Sequence, residues 1–245
     1  MTTANLFLFN AAAIGNDTPD EELVRGILAG DTEEFAVLMR RHSQRLYRVC
    51  RSVVAKDAEA EKAVQQAYLR AYRHLGQFKG DCEFVTWLTK LAIYEALMWR
   101  RPSTMSLQEF GEGRGIAMRP RLVAGRRDLE EQPMNRNSAS LLEEAIDSLP
   151  TNYRTVFVLR DIEKLSSGET AATLLLSRET VEGRLMRSRR MLQERLGAHV
   201  LEQPSEQVLT FRGDRSAGLI DRVVKIITQR AGQKYSATAL EVATP

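Results

Sequence analysis

The stretch that most constrains the fold runs from residue 140 to residue 196, where two apolar-periodic segments flank a tight turn at Leu175 and Leu176. Ser166 or Ser167 can cap the first segment as a helix, and Ser177 can cap the second. The inward positions of the first helix would be Ala171, Ala172 and Leu174. The second helix would bury one face through Val181, Leu185, Leu192 and Leu196. The pattern therefore predicts two short helices joined by a turn.

The opposite face of the second predicted helix is polar and rich in arginine. Its first turn holds Arg178, Glu179 and Thr180, and the cations further along are Arg184, Arg187, Arg189 and Arg190. A polar helix that is held across a turn by a shorter helix is how helix-turn-helix proteins enter the major groove of DNA. The alternative that the pattern leaves open is a helical hairpin with a solvated basic face.

Composition limits the class of protein. Apolar residues make up 43% of the 245 residues, which is enough for one large or two small cores, and the net charge is only +3. Any surface for nucleic acid must therefore be local. Cys50 and Cys82 have no metal-binding spacing and are expected to be buried, reduced thiols. No apolar run reaches the length of a membrane span, and Leu6 to Phe9 lacks a preceding cation, so we expect a cytoplasmic protein without membrane insertion.

Helical periodicity predicts an all-α fold of two small helical domains joined by a flexible linker. The predicted units are a flexible leader (1–19), a three- to four-helix bundle (20–102), a Gly-, Pro- and Arg-rich linker (103–138), a four-helix domain with the helix-turn-helix (139–198) and an extension (199–245) with one helix from about Ala217 to Gln229. Capping boxes are predicted at Asp31 with Glu34 and at Ser140 with Glu143. One helix of the first unit has a basic face made of Arg40, Arg41, Arg45, Arg48 and Arg51.

Catalytic chemistry has no support in the sequence. His42, His74 and His199 have no nucleophile or carboxylate at a suggestive spacing, and no Gly-rich phosphate loop follows a strand. We therefore expect a protein that is not an enzyme, with no catalytic residue, no metal ligand and no cofactor.

Three segments, in order, carry a family resemblance. They are FAVLMRRH at 35–42, FKGD with FVTWLTKLA at 78–92, and the segment from Leu149-Pro150 through VFVLRDIE to SRETV at 177–181. Together they resemble the extracytoplasmic-function (ECF) kind of bacterial RNA polymerase sigma factor, of the sigma-70 family. The resemblance spans roughly residues 22–101 and 139–197.

The resemblance implies a factor that binds core RNA polymerase, reads the −35 promoter element as duplex and captures the −10 element as a single strand. The implied −35 contacts are Ser177, Arg178, Glu179, Thr180, Glu182, Arg184 and Arg187. The implied −10 contacts are Phe78, Lys79, Gly80, Asp81, Trp87, Lys90, Arg100 and Arg101. Core RNA polymerase and promoter DNA are the implied partners, with room for an anti-sigma factor or another regulator.

The implied polymerase contact departs from the family pattern. Family members carry an acidic run, Asp-Ala-Glu-Asp-Leu-Val-Gln-Glu, that docks on a basic face of the polymerase. The corresponding residues here are Glu59, Glu61, Lys62, Gln65 and Gln66, with two carboxylates fewer, so that docking by opposite charge is weaker. Leu175 replaces the usual glycine of the turn. Two alternatives stay open: a stand-alone helix-turn-helix regulator, or a degenerate sigma paralogue that needs an activating partner or modification.

Overall fold

The computed structural model describes residues 18–100, 138–196 and 208–242, with the side chains of 138, 139 and 230–242 left out. Most of the predicted leader and linker lies outside these ranges. The described ranges hold nine α-helices and no strand, which confirms the all-α prediction for them. The first group of helices is α1 (Asp20–Ala29), α2 (Glu34–Val53), α3 (Asp57–Arg73) and α4 (Phe84–Arg100). The second group is α5 (Ser138–Ser148), α6 (Thr151–Phe157), α7 (Ser167–Leu174) and α8 (Arg178–Leu196), and α9 (Gly213–Val242) follows.

Helix α2 is the centre of the fold. Fourteen of its twenty residues are buried, as expected for a helix that is packed on all sides. It contacts α1, α3 and α4 of the first group, and it also contacts α6 and α9. The buried imidazole of His42 lies between α1 and α4, with its Nε2 atom 2.7 Å from Asp20 Oδ2.

Helix ends follow local capping chemistry, with two corrections to the predicted boundaries. Gly30 ends α1 at φ 117°, a left-handed conformation that glycine adopts without steric cost. Asp31 accepts a hydrogen bond from the Glu33 amide (3.1 Å), but α2 begins only at Glu34, so the predicted capping box of Asp31 is wrong. Helix α5 begins at Ser138, so Ser140 lies inside the helix and not at its cap as predicted.

The two groups of helices pack against each other through buried arginines. The Arg51 side chain is 2% exposed, and its guanidinium donates to both carboxylate oxygens of Asp147 in α5, at 2.9 and 2.7 Å. Arg154 of α6 donates through Nε to the Ser52 carbonyl oxygen (2.8 Å). Arg51, on the basic face predicted for this helix, is therefore buried between the two groups.

Arg45 and Arg48 of the same basic face also pair with the second group. Both guanidinium groups donate to the carboxylate of Glu163, with Arg45 Nε at 2.9 Å and Arg48 Nη1 at 3.2 Å. Glu163 is buried directly after the π-helical turn (Val158–Ile162) that follows α6. Burying a carboxylate is costly unless it is paired, and here two cations of the other helix group pair with it.

The C-terminal extension is also packed on the first group. Helix α9 begins at Gly213, earlier than the predicted start at Ala217, and it contacts α2 and α3. Among its described side chains, the buried apolar residues are Leu219, Ile220, Val223 and Ile227, and Val224 is half-buried.

Candidate nucleic-acid and polymerase interface

The helix-turn-helix is formed by α7, a turn at Leu175 and Leu176, and α8. Ser166 caps α7 in a full capping box: its hydroxyl accepts from the Glu169 amide (3.2 Å), and its amide donates to the Glu169 carboxylate (2.7 Å). This decides between the two predicted caps in favour of Ser166. The hydrogen bonds from Ser166 are the main reason that the pKa of Glu169 is lowered.

The turn has a left-handed residue at the position where the resemblance implies glycine. Leu175 adopts φ 55° and ψ 47°, a conformation that costs a residue with a Cβ atom about 1–2 kcal/mol, and its side chain is 63% exposed. The Leu176 amide then donates to the Ala171 carbonyl oxygen (2.9 Å) and closes the end of α7. Ala172, predicted to face inward, is exposed, because Thr170 and Thr173 take the buried positions beside Ala171 and Leu174.

The first turn of α8 presents polar groups to solvent. The Ser177 hydroxyl accepts from the Thr180 amide (3.2 Å) and caps the helix as predicted. Ser177, Arg178 and Glu179 are exposed and Thr180 is half-buried, while Val181 and Leu185 are buried against the rest of the unit. The polar end of the helix is therefore accessible, and its apolar side holds it in place.

The other charged residues of α8 differ in their exposure and in whether they form ion pairs. Glu182 and Arg187 are exposed, and Arg187 Nη1 lies 3.5 Å from the Tyr153 hydroxyl. Arg184 is half-buried, and burial lowers the pKa of its guanidinium. Arg189 forms a two-pronged ion pair with Asp161, at 2.7 and 2.6 Å. Arg190 pairs with Glu194 one turn along (3.5 Å).

An aromatic cluster lies at the start of α4. The Phe78 ring centroid is 5.5 Å from that of Phe84 and 5.6 Å from that of Trp87. Phe84 is buried, but Phe78 and Trp87 are only half-buried, so ring edges of the cluster reach the surface. The remaining loop residues Lys79, Gly80 and Asp81 are exposed, and Gly80 has φ 77°.

The cations predicted to accompany this loop are spread along α4. Lys90 and Arg100 are both half-buried, and burial lowers the pKa of the Arg100 guanidinium. Arg101 lies outside the described residues. Partly accessible rings next to exposed polar backbone and a cation are the features from which a platform for unpaired bases is built.

The predicted polymerase-binding residues lie on the N-terminal half of α3. Glu61 forms an ion pair with Arg215 of α9, and Glu59 lies 3.4 Å from the ammonium group of Lys56. Lys62 is exposed, with its Nζ atom 5.4 Å from the ring centroid of Trp99. Gln65 and Gln66 are half-buried. The contact between Arg215 and this helix could not be predicted from the sequence, because 154 residues separate Arg215 from Glu61.

Two family profiles match the chain. The profile described as Sigma-70 region 2 matches residues 38–104, and that described as Sigma-70, region 4 matches residues 139–192. The first contains most of α2 with α3, the aromatic cluster and α4, and the second contains α5 to most of α8.

The chain is similar to bacterial sigma factors over most of their length. The chain is 30% identical over 189 residues to the RNA polymerase sigma-H factor of Pseudomonas aeruginosa, covering 72% of this chain and 93% of the relative. It is 27% identical over 176 residues to the ECF RNA polymerase sigma factor SigW of Bacillus subtilis, covering 71% and 94%. The solved structure of CnrH in complex with the cytosolic domain of CnrY is 25% identical, covers 74% of this chain and 98% of that one, and has a TM-score of 0.51.

The fold and the exposed helix end define a two-part helical protein with a helix-turn-helix. With both profiles in order and a relative matched over nearly its full length, the chain belongs to the sigma-70 family of RNA polymerase sigma factors, among the extracytoplasmic-function kind. The predicted resemblance is confirmed. Within the described helices, none is long and apolar enough to cross a membrane.

Proposed function

We propose that this protein binds core RNA polymerase and directs transcription initiation, with the first helix group capturing the −10 element as a single strand and α8 reading the −35 element as duplex. The observation that carries the proposal is the presence of both sigma regions in order, combined with an accessible polar end on α8. It acts by binding and not by catalysis, and it works in the cytoplasm with the polymerase.

The −35 element would be read from the first turn of α8. Ser177, Arg178 and Glu179 have the exposure that a groove contact needs, and Arg178 is the cation suited to the hydrogen-bond acceptors of guanine. Arg187 would contact a phosphate further along the helix. Arg189 is already held by Asp161 and contributes less.

The −10 element would be captured at the aromatic cluster. An everted base can stack on an accessible part of the Phe78 or Trp87 ring, while the exposed residues Lys79, Gly80 and Asp81 supply hydrogen-bonding groups. Lys90 and Arg100 would contact the strand through its phosphates.

The experiment is run-off transcription with core polymerase, this protein and a library of promoter sequences. Transcripts that start downstream of a shared pair of elements are expected. Tight binding to duplex DNA without core polymerase, combined with no transcripts in its presence, would favour the stand-alone regulator and overturn the proposal.

A matched pair of variants tests the role of α8. Arg178→Ala should weaken binding of the holoenzyme to the selected −35 sequence by about 1–3 kcal/mol and relax specificity there. Arg195→Ala removes an exposed cation from the other end of the same helix and should leave the binding affinity and the specificity unchanged. Equal losses for the two variants would show that Arg178 contributes only general charge.

A further inference from the structure

Residues 208–229 form a strap that lies outside both matched sigma regions and packs on α2 and α3. Val208, Leu209 and Phe211 are buried on α2, and the Phe211 ring stacks on that of Tyr47 with centroids 4.4 Å apart and planes within 5°. This contact is well defined, which distinguishes it from a chain end that only rests on the surface.

Polar groups hold the start of the strap at one position. The Gln44 side chain donates to the Leu209 carbonyl oxygen (3.0 Å) and accepts from the Phe211 amide (2.8 Å). Leu209 is held at φ 53°, a left-handed conformation that a residue with a Cβ atom rarely adopts. The Gln44 side chain therefore fixes the backbone around the strained residue Leu209 through two hydrogen bonds.

The strap also occupies the acidic groups of α3. The Arg215 guanidinium contacts the Glu61 carboxylate, and its Nη1 atom lies 3.4 Å from Asp57 Oδ2. Asp57 is further bound by Arg51 Nε at 2.7 Å, and Glu59 is paired with Lys56. Every carboxylate in the first two turns of α3 is therefore already paired within the described part of the chain.

We propose that the strap is an internal competitor for the partner of α3, and that Arg215 holds the place that a cation of the polymerase takes on docking. The proposal rests on the proposed function of α3 as the polymerase-binding helix. An acidic helix face is complementary to a cationic partner, and a carboxylate paired with Arg215 must lose that pair before it forms another. The apparent affinity for core polymerase is therefore the intrinsic affinity multiplied by the fraction of molecules in which the strap is open.

The strap is also linked to the packing of the two helix groups. One guanidinium, that of Arg48, donates to the Val208 carbonyl oxygen (3.1 Å) and to the Glu163 carboxylate (3.2 Å). Because both bonds use the same side chain of α2, displacing the strap weakens the position of Arg48 against the second group as well.

The test compares three variants of the full chain. Arg215→Glu replaces the strap cation with a like charge beside Glu61 and Asp57. Phe211→Ala removes the ring that stacks on Tyr47 without changing charge. Arg222→Glu makes the same charge change as the first variant at an exposed position of α9. Affinity for immobilised core polymerase is measured for each, with the thermal unfolding of each variant checked beforehand.

The expected result is a gain of about 3- to 10-fold in affinity for core polymerase with Arg215→Glu, a smaller gain with Phe211→Ala, and no change with Arg222→Glu. Equal gains for the two charge variants, with none for Phe211→Ala, would show a general charge effect and overturn the strap. Wild-type affinity in Arg215→Glu would overturn it as well and leave the proposed function intact.

Failure of the proposed function gives a different result, namely no binding of core polymerase by the wild type or any variant. Hydrogen exchange of the protein alone provides a measurement without polymerase. Amides at the start of α9 should exchange faster in Arg215→Glu than in Arg222→Glu, and equal protection would show that Arg215 does not hold the strap.

Discussion

Asp147→Asn is the variant that most directly probes how the two helix groups are joined. Asp147 accepts two hydrogen bonds from the guanidinium of Arg51, and the Arg154 guanidinium lies 3.6 Å away. The amide has nearly the same shape as the carboxylate, but it carries no charge and can accept with only one oxygen. The substitution therefore removes an ion pair between α2 and α5 while it keeps the volume.

The magnitude follows from the burial of the two partners. Breaking a fully buried ion pair costs about 3–5 kcal/mol, because an uncompensated charge remains. Arg51 is 2% exposed but keeps Asp57, and the side chain of Asp147 is 27% exposed, so that water recovers part of the loss. We expect the free energy of unfolding to fall by about 2 kcal/mol, which lowers Tm by about 4–8 °C in a chain of this size.

Asp161→Asn is the matched control. Asp161 has the same two-pronged pairing with Arg189, but both residues lie in the second helix group and the Arg189 side chain is 54% exposed. An exposed pair of this kind contributes less than about 1 kcal/mol. Denaturant unfolding gives the stability of each variant, and small-angle X-ray scattering gives the radius of gyration.

Asp147→Asn should increase the radius of gyration, whereas Asp161→Asn should not. Opening of this kind is what the proposed function requires, because elements centred at −35 and −10 are about 25 base pairs, or about 85 Å, apart along B-DNA. Under the proposed function, we expect the pair between Arg51 and Asp147 to open when both elements are bound. Equal stability and equal radius for the two variants would refute the reasoning that this ion pair holds the groups together.

Three further predictions use single sites. Ser166→Ala should cost about 1 kcal/mol of unfolding free energy in denaturant titrations, because α7 loses its cap, whereas Ser167→Ala should change it little; equal losses would contradict the assignment of the cap. Burial would raise the pKa of Asp20, but the bonds with His42 and Arg41 hold it below the usual value of an aspartate. This carboxylate therefore stabilises the fold above about pH 4, and the gain is lost as the pH falls through its folded pKa. Asp20→Asn should therefore flatten the acid limb of the stability curve, and an unchanged limb would count against the pairing. Lys62→Asp should raise affinity for core polymerase above that of Lys62→Ala, which removes the ammonium group and its contact with Trp99 but adds no carboxylate. Identical affinities for both variants and the wild type would show that α3 is not the docking face.

Local features of the fold could be predicted because their causes lie within a few residues. The capping box of Ser166 and Glu169 spans three positions, and Ser177 lies three residues from the amide that it accepts from. The left-handed turn at Leu175 follows from the two helices that it must connect. Predictions failed at Asp31 and Ser140, because α2 begins at Glu34 and α5 begins at Ser138.

Other features could not be predicted, because their partners are distant in the chain. The arginines of α2 form a basic face in the sequence pattern, and that pattern does not show that Arg45 and Arg48 bind a carboxylate more than a hundred residues away. The same holds for the acidic start of α3, which has the composition of a docking surface and is covered by Arg215. Composition records that these charges exist but not which of them pair.

The sequence alone determined the helices, their apolar faces, the helix-turn-helix and the family, because periodicity, caps and short motifs act over one or two turns. Only the tertiary structure decided that Asp147 and Glu163 of the second helix group pair with arginines of α2. The same is true of the position of the strap over α3. The physical reason is that the energy of an ion pair depends on distance and burial in space, and neither quantity is written in the spacing of residues along the chain.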